Sequence, residues 1–424
     1  MFRGGGILMW GIGYRLLLWF AFPWVLVRLW WRGRAEPAYR QNIGERFGFY
    51  GRRPVKPVIW LHAVSMGETR AAEPLLRALQ SLHPECELLI TQMTATGREA
   101  AQALFGGAVR VAWLAYDYPS AVRRFVRHFR PSLGILMETE IWFNLVLECE
   151  RSGVPLLLAN ARMSARSARG YAVVAPLARA ALGRMSAVAA QTNEDAERLL
   201  SLGARAVEVS GNLKFDAVPS AGSEELAAKF RRWFGDRSVL LAASTREGEE
   251  ELLLDALEKN ALGDAIFIIV PRHPQRFDAV AQLLSARGLR FARRSANAPR
   301  EPGCSIVLGD SMGEMASYYR ACDAAFVGGS LLAYGGQNLI EACAAGVPVL
   351  VGPYTYNFAQ AAQSAIAAGA AVRVSDAGEA IRLARSLLQD RELRERMGRA
   401  GVAFCAAHRG AVERTLTICK RLIG

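Results

Sequence analysis

Short apolar runs alternate with amphipathic stretches along most of this chain. In the first half, the runs are separated by segments such as 69–82 and 119–129, whose apolar residues recur at helical spacing. The runs predict buried strands at 58–62, 87–91, 109–114, 133–137, 155–159, 187–191 and 207–210. Strands and helices in alternation favour right-handed βαβ units, and therefore a doubly wound parallel sheet of the α/β class.

The second half of the chain repeats this pattern. Its apolar runs predict strands at 239–243, 265–270, 305–308, 324–328 and 348–351. Pro219, Ser220 and Gly222 interrupt the pattern before a charged helix predicted at 223–233. The predicted organisation is an N-terminal anchor at 1–34, a Rossmann-like domain at 35–215, a linker at 216–222 and a second Rossmann-like domain at 223–424. In such sheets, ligands bind beyond the carboxyl ends of the strands.

The N-terminal segment is unusually apolar. Residues 7–31 are mostly aliphatic and aromatic, and the uninterrupted core 16–27 is flanked by Arg15 and Arg28. Crossing a bilayer takes about 20 apolar residues, so the segment could span it or lie in the interface. The basic residues that follow predict, by the positive-inside rule, that the rest of the chain is cytoplasmic. A cleaved signal peptide is less favoured, because no small-x-small cleavage site follows the apolar core.

Composition narrows the possible partners. The 424 residues carry a net charge of +13, which points to nucleic acid, anionic lipid or a phosphorylated substrate. The chain lacks a basic stripe interleaved with aromatic residues, which argues against nucleic acid. Its seven cysteines contain no C-x-x-C pair, and its five histidines lack ligand spacing, so neither a disulfide framework nor a metal site is predicted.

Two acidic loops follow predicted strands of the first domain. Ser65-x-x-Glu68 has the spacing of a helix capping box, and this role is locally favoured over a general base facing the ligand crevice. Glu138 and Glu140 lie on one side of an extended strand end, where they could hold a polar ligand or raise one another's pKa. Solvated loop acids are the alternative, although the Trp142 that follows is typical of sugar recognition.

Three loops of the second domain suit an anion. The loop at 244–249 opens a helix with hydroxyl and N–H groups, and Arg272 follows another strand. A glycine-rich segment at 328–341 ends in Glu341, which could accept ribose hydroxyls. None of these loops contains G-x-G-x-x-G or a P-loop, which disfavours dinucleotide cofactors and P-loop hydrolysis. Together they predict a nucleotide bound to the second domain.

Five motifs resemble, in matching order, those of the 3-deoxy-D-manno-octulosonic acid (Kdo) transferases of lipid A assembly. They are W-L-H-A-V-S-M-G-E at 60–68, P-S-L-G-I-L-M-E-T-E-I-W at 131–142, G-N-L-K-F-D at 211–216, V-P-R-H-P-Q-R-F at 270–277, and the glycine-rich pieces between 328 and 358. The resemblance implies a GT-B fold, with two Rossmann-like domains facing a central cleft. It also implies an inverting, metal-independent transferase of the cytoplasmic face of the inner membrane, which moves Kdo from CMP-Kdo onto a lipid A precursor of the lipid IVA type.

The resemblance assigns roles to particular residues. It places the general base on Glu68, against the local preference for a cap, and the stabilisation of the transition state on Glu138 and Lys214. CMP-Kdo contacts fall on Arg272, His273, Gly313, Glu314, Met315, Asn338, Leu339, Ile340 and Glu341. CMP-Kdo, the lipid A precursor and anionic membrane lipid are the implied partners, without a cofactor, metal, nucleic acid or obligate protein partner.

The sequence departs from the family pattern at four positions near the expected donor site. They are Gln337, Leu339, Ala342 and Tyr354, where relatives commonly carry histidine or proline. These departures leave the details of donor contact open. Another nucleotide-sugar enzyme, such as a UDP-sugar glycosyltransferase or epimerase, is the alternative of the same fold. A membrane-tethered nucleotide-binding protein without activity is the alternative of a different class.

Overall fold

The computed structural model describes residues 4–217, 222–296 and 303–424, with the side chains of residues 4–8 and 35 left out. The chain forms two compact units, Met1–Ala217 with Arg409–Gly424, and Val218–His408. Each unit is built on one seven-stranded sheet in which every pair of neighbouring strands is parallel. The prediction of two doubly wound domains is confirmed. Positions 218–221 of the predicted linker lie outside the described residues.

The first sheet has the strand order β3-β2-β1-β4-β5-β6-β7. Its strands are β1 Val58–His62, β2 Glu87–Gln92, β3 Arg110–Trp113, β4 Pro131–Met137, β5 Leu156–Ala161, β6 Ala187–Ala190 and β7 Val207–Val209. The helices of this unit before its last segment are α1 Gly4–Ala35, α2 Met66–Leu82, α3 Ala95–Phe105, α4 Pro119–Phe129, α5 Phe143–Arg151, α6 Ala165–Val173, α7 Ala175–Leu182 and α8 Asn193–Ser201. The order reverses between β1 and β4, which makes their carboxyl ends the topological switch point, where such sheets bind ligands.

Both faces of this sheet are covered. All five residues of β1 are buried, and successive side chains enter opposite cores. Trp60 packs with Phe125 in one core, whereas Ile59 and Leu61 belong to the other core together with Leu75. The continuous apolar run of β1 is therefore the pattern of a central parallel strand.

The second sheet has the strand order β10-β11-β9-β8-β12-β13-β14. Its strands are β8 Val239–Thr245, β9 Ile266–Pro271, β10 Phe291–Arg293, β11 Ile306–Leu308, β12 Ala324–Val327, β13 Val349–Val351 and β14 Ala371–Arg373. Its helices are α9 Ser223–Phe234, α10 Glu249–Lys259, α11 Phe277–Ala286, α12 Met315–Ala321, α13 Ile340–Ala344, α14 Ala359–Ala367, α15 Ala377–Gln389 and α16 Arg391–Ala407. The switch point lies between β8 and β12. The sequence did not predict β10 and β14, because these three-residue edge strands carry no apolar run.

The C-terminus differs from the prediction. The last helix, α17 Ala411–Ile423, belongs to the first unit rather than to the predicted domain 223–424. The carboxylate of Asp216 accepts the N–H groups of Gly410 at 2.8 Å and Val412 at 2.7 Å, and Ile418 is buried in the core of the first unit. Helical periodicity specifies an apolar face but not the sheet that covers it, so the sequence pattern left this assignment open.

Helix α1 packs on the first unit along one side. The Tyr14 hydroxyl donates to Oδ2 of Asp117 at 2.8 Å, and the Tyr118 hydroxyl donates to the carbonyl of Leu18 at 2.9 Å. The segment Met9–Arg34 is long and apolar enough to cross a membrane. Large apolar side chains of α1 are exposed at Met9, Trp10, Ile12, Leu16, Leu17, Trp19, Phe20, Trp24, Leu26, Val27, Trp30 and Trp31. An apolar N-terminal helix as candidate membrane anchor is therefore confirmed.

Replacing Ile418 by Ala tests whether α17 stabilises the first unit. We expect the free energy of unfolding to fall by about 3 kcal/mol, because the substitution leaves a cavity in a buried core. Urea unfolding followed by tryptophan fluorescence reports mainly on this unit, since Trp233 is the only one of the nine tryptophans in the second unit. The control is Lys420→Ala at an exposed position of the same helix. Equal midpoints for the two variants would contradict the assignment.

Candidate active site

Glu68 lies at the switch point of the first sheet, in the first turn of α2. Its Oε2 accepts the N–H of Val64 at 2.8 Å, and its Oε1 accepts the Ser65 hydroxyl at 3.1 Å. The Ser65 Oγ in turn accepts the N–H of Glu68 at 3.3 Å and so caps the helix. The capping role that the local sequence favoured is confirmed, and it holds the carboxylate in one orientation.

The same carboxylate has an unusual acidity. Burial raises the pKa of Glu68 to about 7, and the nearby Glu138 and Glu140 add to this effect, although the bonds from Val64 and Ser65 oppose it. A carboxylate that titrates near neutral pH is ionised in a large fraction of molecules and is basic enough to accept a hydroxyl proton. Cap and general base are therefore compatible roles for this side chain.

Glu138 directly follows β4 and is paired with Lys214. The Lys214 Nζ donates to Oε1 of Glu138 at 3.1 Å, and both side chains are about one-fifth exposed. The backbone of Glu138 has φ of 56°, and its N–H donates to the carbonyl of Ala159 at 3.0 Å. A non-glycine residue in this left-handed region costs about 1 kcal/mol or more, which neighbouring contacts must offset. The strain marks the turn that carries this acid.

Glu140 lies in the same loop and is mostly buried rather than solvated. Its Oε2 accepts the Trp142 indole N–H at 2.8 Å and lies 4.0 Å from Nε2 of His62. Burial raises the pKa of Glu140, and the charge of Glu138 acts in the same direction. The loop after β4 therefore brings two acids to Glu68, with one of them neutralised by Lys214.

Sequence reasoning missed Asn160, which supports the segment that carries Lys214. Asn160 is fully buried at the end of β5, and its Oδ1 accepts the N–H of Leu213 at 3.1 Å. Asn212 adds a second support, since its Oδ1 accepts the N–H of Lys214 at 3.0 Å. A single amide within the apolar run at 155–161 was the available signal, because a buried polar side chain needs partners.

The second unit uses an internal carboxylate at its own switch point. Glu249 is fully buried and accepts the N–H groups of Gly329 at 2.6 Å, Ser330 at 2.9 Å, Leu331 at 2.8 Å and Arg246 at 2.9 Å. These four N–H groups, one of them in the loop at 244–249 and three in the glycine-rich segment, are bound by Glu249 and are therefore not free for an anion. A phosphate at this edge would need side-chain donors instead.

Such donors gather after β8 and β9. The Arg272 Nε donates to Oε1 of Gln337 at 3.2 Å. Burial lowers the pKa of His273, and the charges of Arg246, Arg272 and Arg276 lower it further. Arg276 is itself paired with the buried Glu250 at 2.9 Å. This edge of the second sheet therefore carries arginine side chains whose charges act on His273, beside the carboxylates of Glu249 and Glu250.

The remaining residues predicted to contact CMP-Kdo are either hydrogen-bonded to neighbouring side chains or buried in the core. The Glu314 carboxylate accepts hydrogen bonds from Ser311 and, at 2.9 Å, from Arg294, while Gly313 and Met315 flank it. The Asn338 Nδ2 donates to Oε1 of Glu341 at 2.9 Å. Leu339 and Ile340 are buried in the second unit. The side chains of these two residues fill the core, so a ligand could meet only their backbone.

One group of side chains within the described ranges has the geometry of a metal site. Ligand atoms of His83, Glu85 and Cys86 lie within 4.8 Å of one another. These residues precede β2, and therefore lie near the amino ends of the parallel strands. The acidic loops described above follow the carboxyl ends, so this group is not part of the candidate active site.

Two Rossmann-like units, each built on a doubly wound parallel sheet, are the architecture of the GT-B class of glycosyltransferases. Residues 41–217 match the family model of 3-deoxy-D-manno-octulosonic-acid transferase (kdotransferase), and residues 289–403 match that of glycosyl transferases group 1. The 3-deoxy-D-manno-octulosonic acid transferase of Bordetella pertussis is 45% identical over 97% of this chain and 99% of its own. The chain belongs to the Kdo transferase family.

Two further comparisons concern the family and the fold, respectively. The 3-deoxy-D-manno-octulosonic acid transferase of Haemophilus influenzae is 37% identical over 97% of this chain and 98% of its own. Among solved structures, UDP-GlcNAc 2-epimerase from Neisseria meningitidis bound to UDP-GlcNAc superposes with a TM-score of 0.61. It is 17% identical, and the match covers 86% of this chain and 100% of that one, so the likeness concerns the fold alone.

Replacing Glu249 by Gln should loosen the glycine-rich loop. The glutamine amide has the shape of the carboxylate but no charge, and it turns an NH2 donor toward the backbone N–H groups. We expect the loss of these buried, charged hydrogen bonds to cost about 2 to 3 kcal/mol of stability. Hydrogen exchange should accelerate at Gly329, Ser330 and Leu331. Glu247→Gln, whose side chain is 78% exposed, is the matched control. Unchanged protection in the Glu249 variant would show that this carboxylate does not hold the loop.

Proposed function

We propose that this glycosyltransferase moves Kdo from CMP-Kdo onto a lipid A precursor of the lipid IVA type, with inversion at the anomeric carbon and Glu68 as general base. The observation that carries the proposal is the oriented, partly buried Glu68 carboxylate, whose pKa of about 7 suits proton removal from a hydroxyl. That Kdo is the transferred sugar follows from membership of the Kdo transferase family. The proposed acceptor and the inversion rest on the sequence motifs that resemble those of the family.

The reaction is a single displacement. A hydroxyl oxygen of the acceptor forms a bond to the anomeric carbon of Kdo as the bond from that carbon to the phosphate oxygen of CMP breaks. Glu68 takes the hydroxyl proton, and CMP leaves with the bonding electron pair. The leaving group is a monophosphate, and arginine side chains can bind its charge, so the proposed mechanism includes no divalent metal.

Lys214 and Glu138 have electrostatic roles in this proposal. The Lys214 ammonium would offset negative charge on the phosphate or on the carboxylate of Kdo. The Glu138 anion would favour the oxocarbenium-like charge that develops at the anomeric carbon. The 3.1 Å contact between the two groups holds each in place before the substrates bind.

The second unit would bind the nucleotide. Arg272 and its cationic neighbours suit the phosphate, and Glu341 suits the ribose hydroxyls. Phosphate binding beside His273 would raise the pKa of that imidazole, because its pKa is lowered by burial and by the arginines around it. A UDP-sugar donor remains the alternative within this fold class, and donor competition in the assay below separates the two.

Glu68→Gln should lower kcat by about 100- to 10,000-fold, the usual contribution of a general base. Glutamine still fits a capping box, so the helix should remain intact. Activity of the unchanged chain should rise with pH through about 7, since only ionised Glu68 accepts the proton and its pKa is raised to that value. The measurement is mass spectrometry of the lipid product, with CMP-Kdo or UDP-sugars as donors.

The matched control for this experiment is Glu73→Gln on the same helix, where Glu73 forms an ion pair with Arg77 at 2.7 Å near the surface. We expect this variant to keep the activity and the pH profile. A Glu68→Gln protein that is folded and retains most of its activity would reject Glu68 as the base. Product formation from UDP-sugars but not from CMP-Kdo would reject the donor.

We further propose that α1 lies in the interface of the inner membrane on its cytoplasmic side. Hydrogen bonds at Tyr14 and Leu18 and the packing of Phe22 attach one side of the helix to the first unit. A spanning helix would be surrounded by lipid at these positions, whereas an interfacial helix buries only its free face. The basic residues after α1 would then meet anionic headgroups.

Leu17→Glu combined with Phe20→Glu should release the protein from vesicles of phosphatidylethanolamine and phosphatidylglycerol. We expect binding to fall at least about tenfold, because each replaced side chain contributes about 2 kcal/mol of apolar burial. Val55→Glu, at a position 83% exposed and outside α1, is the control. An N-terminal protease-sensitive tag should be cleaved in inside-out inner-membrane vesicles. Cleavage only in right-side-out vesicles would instead indicate a spanning helix.

A further inference from the structure

His62 is a buried histidine next to the candidate active site that the proposed mechanism does not use. It ends β1, and its side chain is fully buried. Its Nδ1 lies 3.0 Å from the carbonyl oxygen of Thr91 and 3.0 Å from the hydroxyl of the same residue. Its Nε2 has no hydrogen-bond partner and is closed off from solvent.

The contact with the carbonyl favours one tautomer of the ring. A carbonyl oxygen can only accept, so it favours the form in which Nδ1 carries the proton and donates to Thr91. Nε2 is then the ring nitrogen with the lone pair, and it is an acceptor without a donor. Full burial lowers the pKa of His62 to about 4, so the ring stays neutral at physiological pH.

The nearest acid to this acceptor is Glu140. Its Oε2 lies 4.0 Å from Nε2 of His62, about 1 Å beyond hydrogen-bond distance. An ionised Glu140 could not donate to Nε2, whereas a protonated one could. An unpaired buried acceptor costs free energy, and a donor from Glu140 would remove this cost.

We propose that Glu140 carries a proton and donates it in a hydrogen bond to Nε2 of His62, so that Glu140 is uncharged when Glu68 is ionised. The inference rests on the proposed role of Glu68 as base. In this arrangement His62 is a positioning residue that acts through Glu140. The burial that raises the pKa of Glu140 is consistent with it.

A protonated Glu140 places no negative charge beside the Glu68 carboxylate. The groups that face this pair are Glu68 from α2, Glu138 after β4, and Tyr171 from α6. Lys214 neutralises Glu138 through its 3.1 Å contact. With Glu140 protonated, ionised Glu68 faces a single ion pair instead of two carboxylates. Without the His62 acceptor, Glu140 would ionise at lower pH and make Glu68 harder to ionise.

The test measures log kcat/KM against pH on the full chain. The quantity compared among variants is the pH position of the acid limb, where activity rises with pH. Glu140→Gln gives a permanently neutral donor to His62, so we expect the limb to stay within about half a pH unit of the unchanged protein. His62→Asn keeps a donor for Thr91, but its shorter side chain leaves no acceptor at the position of Nε2, so the limb should move up by about one pH unit. Combining both substitutions should return the limb to its original position.

A downward shift of about half a pH unit or more in Glu140→Gln would overturn the proposal, because it would mean that Glu140 is charged in the unchanged protein. Nitrogen-15 NMR of labelled histidine gives a second readout that does not depend on activity or on the folding of a variant. His62 should remain the neutral Nδ1–H tautomer from pH 5 to 8, and titration to imidazolium in this range would also overturn it. Failure of the base assignment would appear separately, as an acid limb that persists in Glu68→Gln.

Discussion

The chemistry of the first unit depends on one constraint, the cost of gathering carboxylates where solvent is largely excluded. Burial alone favours the neutral form of Glu68, and two neighbouring acids increase this preference. The Val64 N–H and the Ser65 hydroxyl lower it again, and Lys214 neutralises Glu138. The balance leaves the pKa of Glu68 at about 7. At neutral pH the carboxylate is therefore ionised in a large fraction of molecules and is still basic enough to accept a proton. The surroundings of an ordinary helix cap thus raise the pKa of its carboxylate into the range that a general base needs.

At the switch point of the second unit, the groups that need a partner are backbone N–H donors rather than carboxylates. Converging N–H groups after β8 and β12 need an anion, and the buried Glu249 supplies it from within the chain. Gly328 lets the loops after β8 and β12 lie close together, since a Cβ there would lie 2.6 Å from the Cα of Thr245. Because Glu249 occupies these four backbone donors, a ligand at this edge would meet side-chain donors such as Arg272.

Most of the architecture could be predicted from the sequence, because buried parallel strands such as Val58–His62 are continuous apolar runs and their helices are periodic. The pattern also led to Glu68 and Glu138, since polar residues directly after such runs lie at the edge where ligands bind. It could not assign α17 to a unit, because Asp216 and Gly410 meet across nearly two hundred positions of sequence. Nor could it show that the Glu249 side chain turns back onto a loop eighty residues away. These contacts depend on packing, which local spacing does not encode.

Asp117 connects the N-terminal helix α1 to the helix that follows the acidic loop. Asp117 accepts the N–H groups of Asn144 at 3.0 Å and Leu145 at 2.8 Å at the start of α5, and it also accepts the Tyr14 hydroxyl of α1 at 2.8 Å. Burial raises the pKa of Asp117 to about 6 even though these donors oppose the shift. Helix α5 begins directly after the loop that carries Glu138 and Glu140. One buried carboxylate therefore joins the apolar N-terminal helix to the helix that follows the loop of Glu138 and Glu140, and displacement of α1 would remove one of its donors.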